Sequence, residues 1–256
     1  MNTIISFSSP GPDRFVALLL LLALAPAVVW GSAVPPEPRS ERDAYAEARD
    51  AMVERQLRRR GIDDRRVLQA MRSVPRHLFV PPRWRSAAYE DRPLPIGSGQ
   101  TISQPYVVAL MTQLLELQGS ERVLEVGTGS GYQAAVLSRL AREVFSVEII
   151  PELSRGAADV LERLGFDNVR LKIGDGFFGW EDAAPFDAIV VTAAASEVPE
   201  PLWRQLAEGG RLVIPLGDDR GQRLVRLRKL SGKRVAEDFT AVLFVPLTGE
   251  ARKKRR

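Results

Sequence analysis

The chain of 256 residues contains no cysteine and a single histidine, His77. Disulfides, thiolate nucleophiles, iron–sulfur clusters and cysteine-ligated zinc are therefore excluded. One imidazole cannot supply a site that needs two or three histidine ligands. A serine-hydrolase triad would have to run through His77 alone. That residue follows Pro75-Arg76 and precedes an apolar Leu-Phe-Val run, so it reads as structural. No metal is expected. Net charge is also small, +4, and all of it comes from one place. Residues 251–256 carry five cations and no anion, and without them the balance falls to −1. The high pI thus belongs to a short tail rather than to a basic face. There is no aromatic and basic stripe of the kind that tracks nucleic acid, so no specific nucleic-acid partner is expected. With 45% hydrophobic and 27% charged residues, the remainder has the composition of an ordinary globular protein.

Long apolar runs are confined to Phe15–Trp30, with Arg14 just before. Gly31-Ser32-Ala33 offers the small residues of a signal-peptide cleavage site. The uncharged stretch runs on to Pro36, which also allows a membrane anchor, with membrane contact through residues 15–34. A start at Met52 is a third reading. Arg39, Arg42 and Arg49 outnumber Arg14 across the run, which favours keeping the following domain in the cytoplasm. Export to the periplasm or anchoring is the alternative. The expected division is a leader or anchor with linker over 1–38, one domain over 39–250, and a basic tail over 251–256.

Hydrophobic periodicity predicts a helix over 40–60, closed by Gly61, and a second over 63–73. Residues 94–105 read as a loop rich in turn formers. A helix should start near Pro105 and run to about Leu117. From there strands and helices alternate. Strands are expected at 122–126, 144–147, 169–173, 188–191 and 211–214, and helices at 132–140, 151–164 and 200–207. That order predicts an α/β fold, a Rossmann-like, doubly wound, mainly parallel sheet with helices on both faces. An N-terminal helical segment precedes it. The segments 223–230 and 239–246, joined through Ser231-Gly232, predict a C-terminal antiparallel hairpin at one sheet edge.

Glu125-Val126-Gly127-Thr128-Gly129-Ser130-Gly131 follows the first of these strands and opens a helix. Glycines there let backbone N–H groups approach a ligand at the positive end of a helix. The spacing is G-x-G-x-G. A dinucleotide fingerprint would need its third glycine at position 132, which is Tyr, and no P-loop lysine is present. Glu148 ends the next strand, 21 residues after Gly127, where a carboxylate can accept both hydroxyls of a ribose. Asp175, between Gly174 and Gly176, ends the third, where it can accept from an adenine amine. The three groups predict a nucleoside site, and the spacing suits S-adenosylmethionine better than a pyrophosphate. The sulfonium and amino-acid moiety would sit near Glu125 and the glycines. Phe177 and Trp180 could line an adenine pocket or fill core.

The segments Leu94-Pro-Ile-Gly-Ser-Gly-Gln-Thr-Ile-Ser103-Gln-Pro-Tyr106, Arg122–Tyr132, Gly174-Asp-Gly176, Phe186–Ala193 and Phe244-Val-Pro-Leu247 together resemble the protein-L-isoaspartate O-methyltransferases. These are class I S-adenosylmethionine-dependent enzymes, and the resemblance runs from about Met52 to Gly249. It implies methyl transfer from S-adenosylmethionine to the free carboxylate of L-isoaspartyl residues in damaged proteins and peptides, with repair through a succinimide. It implies Ser103 as the catalytic residue, Thr101, Ile102, Val245 and Leu247 at the substrate, and a monomer. Glu125, Gly127, Thr128, Gly129, Gly131, Glu148, Asp175 and Gly176 would bind the cofactor. Tyr106 departs from members that carry His there. A carboxylate acceptor is already ionised at neutral pH, so alignment rather than a strong base is required. Ser103 would hold one carboxylate oxygen in line, although a serine before Pro105 could equally cap the helix. A methyltransferase acting on another small-molecule or RNA acceptor, and a binding module without turnover, are the rival readings.

Overall fold

The computed structural model describes residues 39–218 and 220–253. The N-terminal segment expected to be a leader or anchor, and the end of the basic tail, lie outside the described residues. Among the described residues, no helix is long and apolar enough to cross a membrane.

The chain enters through α1 (Arg39–Met52), which passes into a wide turn over Val53–Leu57 and a tight one over Arg58–Arg60. A single helix was expected over this span. Val53 and Leu57 are fully buried while Arg58, Arg59 and Arg60 are exposed, and the helix type changes at that boundary. Gly61 closes the segment at φ +88°. Next comes α2 (Arg65–Ser73), capped by Asp64, whose carboxylate accepts from Arg66 N at 2.8 Å and Val67 N at 3.3 Å.

The segment read as a loop is a small antiparallel hairpin, β1 (Leu94–Gly97) and β2 (Gln100–Ile102). Leu94 pairs with Ile102, and both are buried. The turn formers that suggested irregular chain instead make the reversal. Gly97, Ser98 and Gly99 take φ of +100°, +49° and +69°. Helix α3 (Pro105–Leu114) follows and stops short of Leu117, with Glu116 at φ +50°.

The main sheet is built from β3 (Arg122–Val126), β4 (Glu143–Glu148), β5 (Val169–Ile173), β6 (Phe186–Val191), β7 (Leu206–Asp218), β8 (Gly221–Leu230) and β9 (Lys233–Val242). Helices α4 (Tyr132–Ser138), α5 (Pro151–Arg163) and α6 (Glu200–Gln205) connect its strands, and the short α7 (Glu250–Lys253) follows it. Strand order is β5-β4-β3-β6-β7-β8-β9. Pairings from β5 through β7 are parallel, and β8 and β9 are antiparallel. The expected edge hairpin is therefore present. Its second strand starts at Lys233 rather than Phe239, because alternating charged residues on an exposed edge carry no apolar signal.

Alternation along the central strands fills two apolar layers. Val123, Ala188, Val190 and Val213 face one, with the α2, α3 and α4 residues. Leu124, Val126, Ile189, Val191, Leu212 and Ile214 face the other. Each fully buried Val, Leu or Ile contributes roughly 1.5–3 kcal/mol. Strand order reverses at β3, between β4 and β6, so their C-terminal ends open a crevice.

Candidate active site

The loop after β3 is tied to both neighbouring strands. Gly127 N donates to Val147 O at 2.9 Å, and Thr192 N donates to Val126 O at 2.9 Å. The Thr192 hydroxyl lies 3.0 Å from Val126 O and 2.7 Å from Gly127 O. Gly127 has φ +100°, and a Cβ on it would meet Thr192 Oγ1 at 2.3 Å. Any larger residue there is both strained and obstructed.

Glu148, at the end of β4, is 5% exposed. One carboxylate oxygen accepts from Gly129 N at 2.8 Å and the other from Ile150 N at 2.9 Å. Each oxygen keeps a lone pair for a further donor. Beyond β5, Gly176 packs so closely that a Cβ would stand 2.4 Å from Val126 Cγ1. Gly127, Gly129, Glu148 and Gly176 line one cavity together with Gln100 and Thr101 of β2 and with Val245–Leu247.

Thr128 and Gly129 face an adjoining cavity with Thr101, Ile102, Ser103 and Tyr132. A wider cleft of about 700 Å³ opens beside it, lined by Arg60, Ser103, Tyr106 and residues 240–245. Thr101 and Thr192 border all three spaces. Ser103 borders the last two. It does not cap α3: that position belongs to Gln104, which makes no side-chain cap bond. The Ser103 hydroxyl has no hydrogen bond to another described residue.

Three expected cofactor residues sit away from these cavities. Glu125 lies fully buried beneath the loop and lines neither cavity. Its carboxylate accepts from Ser146 Oγ, which is 2.6 Å from Thr128 Oγ1, so its link to the site is a relay. Glu125 Oε1 has no partner, and burial pushes the carboxyl up to about 8. Gly131 packs against Ala157 and Leu161 of α5. Asp175 turns its carboxylate to backbone, accepting from Phe177 N at 2.9 Å and Glu250 N at 2.7 Å. Neither Phe177 nor Trp180 lines the cavities; Trp180 packs edge-on to Phe145. His77 is buried, stacked on Tyr45, with Nδ1 2.7 Å from Tyr89 Oη.

Sequence reasoning did not single out Gln100 within the hairpin motif, nor Ser146, Thr192 and Arg60. Thr192 follows the end of β6, so the strand-end rule that selected Glu148 could have found it. Arg60 is one of three consecutive arginines and carries no sequence signal. Among the described residues, no group of three or more His, Asp or Glu is placed to hold a metal ion.

A glycine-rich loop after β3, a carboxylate ending β4 and a glycine after β5, on this strand order, define a Rossmann-like methyltransferase of class I. The sequence profile of the family Protein-L-isoaspartate(D-aspartate) O-methyltransferase (PCMT) matches residues 47–252, and the chain belongs to that family. It is 56% identical over 217 residues to protein-L-isoaspartate O-methyltransferase 2 of Shewanella sediminis, covering 84% of this chain and 89% of that one. It is 54% identical over 210 residues to the Methanoculleus marisnigri protein-L-isoaspartate O-methyltransferase, covering 82% and 96%. A solved protein-L-isoaspartate O-methyltransferase aligns with TM-score 0.73 and 32% identity over 81% of this chain and 69% of that one. A Plasmodium falciparum structure of the same description, in complex with S-adenosyl-L-homocysteine, aligns with TM-score 0.69 and 30% identity over 78% and 98%.

Proposed function

We infer that this chain transfers a methyl group from S-adenosylmethionine to the free carboxylate of L-isoaspartyl residues in proteins and peptides, initiating their repair through a succinimide. The observation that carries this reading is Ser103. It stands between the cavity under the glycine loop and the open cleft, with its hydroxyl uncommitted.

The residues present fit the cofactor. Gly127 and Gly176 keep open a cavity in which side chains would collide, and Glu148 offers two oxygens to a diol. Bound S-adenosylmethionine supplies a methyl group activated by a sulfonium. Gly127, Gly129, Glu148 and Gly176 hold it, and Thr128 and Gly131 fix the loop and the helix that follows. Glu125 supports Thr128 from below through Ser146. Gly176 keeps the far end open, and Asp175 holds the turn beside it through Phe177 N and Glu250 N.

On the acceptor side, the carboxylate needs no general base. Ser103 donates a hydrogen bond to one oxygen and leaves the other free to react. Thr101 and Val245 wall the cleft, and Ile102 and Leu247 wall the cavities that adjoin it. Fixing the acceptor in this way is worth several kcal/mol of barrier, on the order of the effective-molarity gains of oriented reactions.

The division into 1–38, 39–250 and 251–256 belongs to the same proposal, and the family match over 47–252 supports its middle part. The domain works as a monomer in the cytoplasm, where its methyl donor is made. Residues 15–34 supply any membrane contact.

The test uses the full chain, labelled S-adenosylmethionine and two peptides that differ only in one L-isoaspartyl against one L-aspartyl linkage. Base-labile label on the isoaspartyl peptide alone is expected. Label on neither peptide, or equally on both, would remove the proposal.

A further inference from the structure

The acceptor cleft contains one charged side chain among its described lining residues, Arg60. Its guanidinium carbon stands 3.6 Å from the centroid of the Tyr106 ring. Nη1 donates to Asp91 Oδ2 at 2.7 Å. The remaining N–H donors have no partner in another described side chain or backbone, and the side chain keeps 42% of its exposure. A cation stacked on an aromatic face and pinned by one carboxylate has lost much of its rotamer freedom before any ligand arrives.

Its surroundings connect it to the acceptor position. Tyr106 lies on the first turn of α3, three residues beyond Ser103. Gln104, next to Ser103, donates from Nε2 to Asp91 O at 3.1 Å. Arg60, Gln104 and Tyr106 thus line one wall of the cleft, with Asp91 holding both Arg60 and Gln104 in place. The opposite wall, residues 240–245, is uncharged and includes Leu243, 91% exposed. Arg60 faces a cleft whose other lining residues are uncharged, and the N–H donors not taken by Asp91 can receive a further carboxylate. The reacting one is held by Ser103, so the carboxylate left for Arg60 belongs to another residue of the same substrate chain.

Resting on the function inferred above, we propose that Arg60 is a specificity residue that reads an acidic side chain flanking the isoaspartyl residue. Damaged segments with Asp or Glu near the lesion are then the favoured substrates. Asp91 tunes the effect, since it shares the guanidinium.

The test compares kcat/KM for isoaspartyl peptides blocked at both ends. They carry Glu, Gln or Lys at a flanking position, first on one side of the lesion and then on the other. Wild type should prefer Glu over Gln by about 3- to 5-fold on one side, the range of partly exposed charge pairs. The preference should shrink in high salt. Arg60→Gln should remove it, and Arg60→Glu should reverse it towards Lys. Loss of folding does not reverse a preference. If Arg60→Glu does not fold, Arg60→Lys, which keeps the charge and loses the planar stack, should retain a smaller preference. A wild type indifferent to the flank, or a preference unchanged in Arg60→Gln, would overturn the proposal. A matched Gln peptide left unblocked at its C-terminus completes the series, and recognition of that free carboxylate with none of a Glu side chain would also overturn the proposal. Failure of wild type to methylate any isoaspartyl peptide would instead overturn the function on which it rests.

Discussion

The two halves of the site are built differently. The cofactor side is made from the ends of three adjacent parallel strands, and its polar groups already hold one another. Glu148 receives two backbone N–H groups, and Thr192 and Val147 hold the loop at Gly127. The acceptor side is assembled from Arg60, from Ser103, Gln104, Tyr106 and Val107, and from residues 240–245, far apart in sequence. Its serine is uncommitted and its outer wall exposes Leu243. The contrast teaches that the sheet preforms the place for the invariant ligand. The variable ligand, a peptide, meets a cleft whose groups wait for it.

The comparison breaks most sharply at Gly127. Gly127→Val combines a β-branched residue at φ +100° with a contact of 2.3 Å to Thr192 Oγ1. Strain and overpacking together cost about 3–4 kcal/mol, or roughly 300-fold in cofactor affinity. Titration calorimetry with S-adenosyl-L-homocysteine checks this, and an unchanged dissociation constant would remove the loop from the site. Ser103→Ala attacks the other half. Turnover should fall about 100-fold, as when one preorganised donor is deleted, while cofactor affinity stays within about twofold. Near-normal turnover would take Ser103 out of the mechanism.

Glu125 tests how far the cofactor side depends on its buried support. Its carboxyl is raised from 4.5 to about 8 by burial, so the folded protein holds a proton that the unfolded chain has released. Its burial is tolerated best below pH 4.5 and costs progressively more as pH rises through about 8. Glu125→Gln should therefore gain stability relative to wild type across that window. Half of the displacement corresponds to roughly 2 kcal/mol. Denaturant melts of both proteins at pH 5 and pH 8 measure it, and a constant difference between them would refute the assignment. The smallest effect is expected at Asp175. Asp175→Ala should cost about 1 kcal/mol of stability through lost hydrogen bonds to Phe177 N and Glu250 N. A larger loss of cofactor affinity than of stability would instead support the adenine role expected from the sequence.

The same contrast explains what could be read without coordinates. The cofactor side was legible because local spacing carries it: glycines after a strand, then Glu148 and Gly176 at the next strand ends. What spacing does not carry is direction. Glu125 and Asp175 stand at the expected places in sequence, but side-chain orientation turned one beneath the loop and the other to residue 250. The acceptor side was legible only through the Gln100–Pro105 segment and its family resemblance. Its hairpin was hidden because glycines and serine that make a tight reversal look like any loop. Arg60 was invisible as a partner, since its meaning arises from packing against Asp91 and Tyr106, which follow far along the chain.

The most direct test is to follow backbone amide resonances of the full chain as each ligand is added in turn. S-adenosyl-L-homocysteine alone should shift Gly127, Gly129 and Ile150. A blocked isoaspartyl peptide, added to that complex, should then shift Ser103, Tyr106 and residues 240–245 and leave the first set nearly still. Peptide-induced shifts centred on the glycine loop, with none at Ser103, would contradict the division of the site on which the account stands.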